Sequence, residues 1–206
     1  MAYRSAITLY CEPRCVIGHS VRLVVAEKQI ALNLVLVEPG QQDEDLLLLN
    51  PYGDVLTLVD RDIALFEPQV MLEYLDERFP HPPLMPTEPR GRADDRQLRS
   101  RIQRELHPLI RRLEENDDAE RARSLLREYL TAMQGSLVGR RDGHLLGNEF
   151  TLADCVFSSI LWRLTELGVH LPESASGLRA YAKRTLGRKA FHLCLQQQSG
   201  RTFAGD

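Results

Sequence analysis

Four cysteines carry the sharpest chemistry in this chain: Cys11, Cys15, Cys155 and Cys194. Cys15 falls where the first helix should begin. Unpaired N–H groups and the helix dipole favour an anion there, so the thiol should ionise readily, and the thiolate is the reactive form. Cys11 lies four residues earlier and could act as a resolving thiol. The C-x-x-x-C spacing differs from the C-x-x-C redox motif, and Cys11 reads better as a small buried side chain ending a strand. Cys155 and Cys194 read as core. The six histidines show no H-E-x-x-H and no zinc-like spacing to cysteine, so no metal is expected. Asp54, Asp60 and Asp62 read as turn residues. A second candidate is Pro80-His81-Pro82-Pro83, a stiff segment around a single imidazole.

The elements that must hold these residues are legible from spacing. Ala6–Tyr10 is a strand-like run. Val21, Leu23, Val24 and Val25 lie among Arg22, Glu27 and Lys28 at helical spacing from Cys15 to Gln29. Leu32–Val37 reads as a strand and Asp43–Leu49 as a helical turn. Val55–Val59 and Ile63–Phe66, joined by Asp60-Arg61-Asp62, read as an antiparallel hairpin. Pro68–Phe79 is a helix with its proline in the first turn and Val70, Met71, Tyr74 and Leu75 on one face. Four prolines between 80 and 86 forbid helix and mark a boundary. Beyond it helices are expected over Gly91–Asn116, Asp117–Met133, Leu152–Leu167, Gly177–Gly187 and Arg188–Gln198. Thr151 with Asp154 forms a capping-box pattern before the most apolar of them. The expected organisation is an α/β unit over 1–80, a proline-rich linker over 81–89 and an all-helical unit over 90–206.

Composition limits the function. The chain has 206 residues with 26 basic and 29 acidic side chains, and 43% of it is hydrophobic, enough for a full core. Residues 1–80 hold 6 basic and 13 acidic side chains, and residues 81–206 hold 20 and 16. The near-neutral total, with acids interleaved among the eleven arginines of 90–127, argues against direct DNA binding. Pairs such as Arg101 with Glu105 and Arg111 with Glu115 read as ion pairs within a helix. No membrane span or signal-peptide pattern is visible, and the cysteines read as reduced thiols, so a cytoplasmic location is expected.

The order β-α-β-α-β-β-α, the proline boundary and the helical second half resemble the glutathione S-transferase fold, in which the first unit is thioredoxin-like. Leu9-Tyr10, Val21-Arg22-Leu23, Glu27-Lys28, Asn50-Pro51, Thr57-Leu58-Val59-Asp60 and Thr151-Leu152-Ala153-Asp154 carry the likeness. Within that superfamily, Glu73-Tyr74-Leu75-Asp76-Glu77-Arg78-Phe79-Pro80-His81-Pro82-Pro83-Leu84-Met85-Pro86 is similar to the stringent starvation protein A family, as is Leu161-Trp162-Arg163-Leu164. That resemblance implies a homodimeric transcription-regulatory protein of the stress and starvation response. Such a protein associates with the RNA polymerase holoenzyme through Pro80, His81, Pro82 and Pro83, flanked by Tyr74 and Asp76. The alternative is a cysteine-type glutathione transferase or thiol transferase using Cys15, with glutathione as cofactor. Two departures weigh against it. Val55-Leu56 stands where those enzymes have Val-Pro with a cis peptide, and a non-proline cis bond costs about 2.5–4 kcal/mol. Glu67-Pro68 stands where they have Glu-Ser, so a hydroxyl and an N–H donor to the ligand's carboxylate are lost. A third reading is a scaffold that dimerises with a relative.

Overall fold

The computed structural model describes residues 7–39, 44–137 and 143–197. Ala6, Asp43 and Gln198, the ends of three expected elements, lie outside them. The described residues up to Pro83, together with Lys189–Gln197, form one compact unit, and those from Leu84 to Arg188 form the second.

The first unit is built on a four-stranded sheet in the order β2-β1-β3-β4, with β1 Ile7–Cys11, β2 Leu32–Leu36, β3 Thr57–Asp60 and β4 Ile63–Leu65. Ile7, Leu9 and Cys11 are buried and alternate with half-buried Thr8 and Tyr10, the period-two pattern of a strand. β1 runs parallel to β2 and antiparallel to β3, and β3 runs antiparallel to β4. Between β1 and β2 the chain forms α1, Val16–Glu27. α2 (Glu44–Leu49) precedes β3, and α3 (Pro68–Arg78) follows β4. α3 buries Met71, Leu72, Leu75 and Asp76. Val70, expected on the inner face, is 48% exposed instead.

α1 is buried on nearly every side, from Gly18 through Val25 without a break. The cause is the chain's last described helix, α9 (Lys189–Gln197), which packs against it. Phe191 and Cys194 are buried, and the His19 ring rests on Phe191 at 5.0 Å between centroids. The expected division, with everything after 89 in a helical domain, therefore differs from the structure at both ends. α9 returns to the first unit, and the second unit already includes Leu84 and Met85, which are buried.

The second unit is helical throughout its described elements: α4 Pro89–Glu105, α5 His107–Glu114, α6 Ala119–Leu137, α7 Leu152–Arg163 and α8 Ser176–Leu186. Gly91–Asn116, expected as one helical stretch, is broken at Leu106. Pro108 lies in the first turn of α5, and proline supplies no N–H to the preceding turn. α7 forms the centre, with Leu152, Val156, Phe157, Ile160 and Leu161 buried. Its start is held by two buried carboxylates. Thr151 N–H donates to Asp154 Oδ2 at 2.9 Å, and Ala153 N–H donates to Asp95 Oδ2 at 3.0 Å. Asp95 is paired with Arg99 at 2.6 Å. The ion pairs Arg101–Glu105 and Arg111–Glu115 are present at 2.8 and 3.6 Å on exposed faces.

Candidate functional site

The sheet sorts the candidate residues into two groups. β1 ends at Cys11, and its partner in β3 at Tyr10 is Thr57, the first residue of that strand. β4 then runs back, pairing Leu65 with Leu58. The turn to Cys15, the Val55-Leu56 segment and the Glu67-Pro68 start of α3 thus all leave the same end of the sheet. α1 and α3 both run away from that end. Lys28 and the Phe79–Pro83 segment come where those helices finish, at the opposite end.

At the first end, Cys15 is the N-cap of α1, half-exposed, and the Gly18 N–H donates to its Sγ at 3.2 Å. Cys11 lies beside it but inside the fold, and burial pushes its thiol up to about 12. A Cβ on Gly18 would stand 2.8 Å from Cys11 Cβ, so only glycine lets α1 approach β1 this closely. Beneath them Arg22 is wholly buried and donates to the Cys194 carbonyl oxygen. Burial pulls the guanidinium below its ordinary value, while the neighbouring Cys194, Cys11 and Cys15 thiols oppose that shift. Burial also lifts Cys194 to about 12 and holds His19 down to about 3. Cys11 and Cys194 are therefore protonated core thiols at neutral pH.

The rest of this end offers a ligand little. Val55 and Leu56 are half-buried, and the peptide between them is trans. Asn50 shapes the loop before them, donating to Asp54 O at 2.8 Å and accepting from Tyr52 N–H at 3.0 Å. Glu67 is the N-cap of α3, exposed, without a side-chain capping bond, and Pro68 follows without an N–H. A carboxylate arriving here meets a negative charge and a missing donor.

At the other end, Pro80, His81, Pro82 and Pro83 are all exposed, and the His81–Pro82 peptide is cis. The segment is fastened from below. Lys28, at the C-cap of α1, has a fully buried side chain. Its Nζ donates to Phe79 O at 2.7 Å and to Pro82 O at 2.8 Å, and it pairs with Asp76 Oδ1 at 2.7 Å. Tyr74 is not part of this fastening. Its hydroxyl donates to Asp60 Oδ2 at 2.8 Å, and Arg78 stands 3.6 Å from the same oxygen. Partial burial and the Asp60 bond push the phenol above its ordinary value. Tyr74 and Asp76 are two positions apart on a helix and so face different ways. No group of three or more His, Cys, Asp or Glu able to hold a metal occurs among the described residues.

Known proteins fit this arrangement. The glutathione S-transferase N-terminal domain model matches residues 9–83, and the C-terminal domain model matches residues 81–189. A stringent starvation protein A homolog of Pasteurella multocida is 42% identical over 191 residues, covering 91% of this chain and 89% of its own. One from Coxiella burnetii is 40% identical over 200 residues, covering 96% and 95%. The chain belongs to the stringent starvation protein A family. Within that family's glutathione S-transferase fold, likeness to solved structures runs through backbone more than sequence. Poplar glutathione transferase F1 superposes with a TM-score of 0.83 at 20% identity, covering 96% of this chain and 100% of its own. For this family member, sequence reasoning found the exposed prolines but missed Lys28.

Proposed function

We propose that this protein is an RNA polymerase-associated transcription regulator of the stress and starvation response, without transferase activity, and that it docks through Pro80, His81, Pro82 and Pro83. The observation that supports the reading most is the buried Lys28 ammonium beneath four exposed residues. A loop already ordered in the free protein loses little entropy on docking, so more of each contact survives as affinity. Its apolar rings and single imidazole suit a protein partner. The test is capture of RNA polymerase holoenzyme by the wild type and by a His81→Ala, Pro82→Ala variant. Capture should fall at least tenfold in the variant, and equal capture by both would sink the loop as the contact.

A homodimer belongs to the same reading. Among the described residues, the exposed large apolar side chains fall between Leu47 and Val70. Tyr52 is 75% exposed, and its ring meets that of Phe66 at 5.3 Å. Exposed apolar side chains of this kind suit a permanent partner such as a second copy. Tyr52→Glu should shift sedimentation toward the monomer, and an unchanged dimer would remove these side chains from the interface. A cytoplasmic location fits cysteines that form no disulfide among the described residues, and the absence there of a helix able to cross a membrane.

Cys15 supports the second reading, a glutathione or thiol transferase, because it is half-exposed and caps α1. Trans Leu56 and Pro68 weigh against it.

A further inference from the structure

We propose that Lys28 is the positioning residue of the Pro80–Pro83 docking loop, a group that fixes where its exposed rings stand. The inference rests on the proposed function for its consequence, but its geometry is independent of any partner.

A proline ring fixes its own φ and removes an N–H. Among residues 80–83 only His81 retains a backbone donor, so the segment has few turn hydrogen bonds of its own to make. Its carbonyls need a donor from elsewhere. Phe79 O and Pro82 O bracket Pro80, His81 and Pro82, and both accept from Lys28 Nζ. An ammonium has three donors, and the third points to Asp76 on α3. One buried cation thus closes three bonds at 2.7–2.8 Å to α3 and to both sides of the exposed segment. Asp76 supplies the countercharge that allows the ammonium to stay buried. Arginine would not serve, because its flat fork spreads donors in one plane where three converge from a point.

The test uses the full chain with Lys28→Met and Asp76→Leu together, which removes both buried charges and leaves neither uncompensated. Two quantities are read on protein that circular dichroism shows to be folded. The first is the backbone order parameter of the His81 amide. The second is the affinity for RNA polymerase holoenzyme. In the wild type the order parameter should be near about 0.85, and in the double variant it should fall below about 0.6. Affinity should fall about tenfold or more. If the double variant does not fold, Lys28→Arg provides the same two readings, because it keeps the charge but not the convergent donors. A rigid His81 in a folded variant overturns the proposal, as does a mobile His81 with unchanged affinity. A wild type that captures no polymerase defeats the proposed function alone, and the fastening of the loop is then decided by the His81 amide.

Discussion

In the proposed reading, Pro68 and Leu56 limit how much a glutathione-like ligand can gain from this fold. The first turn of a helix normally offers free N–H groups to an anion, and in α3 the first of them is absent while Glu67 stands exposed beside it. Hydrogen bonds to a charged carboxylate contribute about 1.5–3 kcal/mol each, so losing two weakens binding a hundredfold or more. Calorimetry should therefore find little glutathione binding to the wild type, with a gain of at least tenfold on combining Leu56→Pro with Pro68→Ser. Tight binding by the wild type would show that other donors have replaced these two. Cys15 survives at this site as an accessible thiol, whereas Cys11 and Cys194 are held protonated by the apolar interior around them.

At the scale of elements, the first N–H groups of a helix must find acceptors outside it. Asp154 accepts from Thr151 N–H, from Leu145 N–H at 3.1 Å and from the Tyr181 hydroxyl at 2.6 Å, all with no access to water. Removing it leaves several buried donors unpaired, each costing about 1–3 kcal/mol. Asp154→Ala should lower stability by about 3 kcal/mol or more in urea unfolding, and a loss below about 1 kcal/mol would mean that water enters and replaces the carboxylate. This cap was legible beforehand, because Thr151 and Asp154 are three residues apart and the pattern is local. So were the strands and α1, whose apolar spacing is read within one element. The break at Leu106 was not read, although its signal, Pro108, is local. What no local pattern carried was pairing at long separation. Lys28 meets carbonyls 51 and 54 residues away, and Arg22 meets Cys194 at a separation of 172 residues. A charged residue at helical spacing looks the same whether it faces water or three buried acceptors.

Across the whole molecule, each unit contains a histidine that folding keeps neutral. Burial holds His19 in the first unit down to about 3, and His107 in the second down to about 4, from an ordinary 6.5. Below about pH 6.5 the unfolded chain takes up protons that these folded rings refuse. Stability is thus full above that pH and falls as the pH drops toward the folded values. Each site should cost about 2 kcal/mol by pH 5. Urea midpoints should fall between pH 7.5 and pH 5, and His107→Gln should flatten the slope. A midpoint independent of pH would mean that these rings are already protonated or exposed. One further property follows from α1 itself. From the Cys15 cap to the Lys28 cap it rises about 20 Å. A reporter dye attached to that accessible thiol would sit well clear of the exposed prolines. It could follow complex formation with an added partner without blocking it.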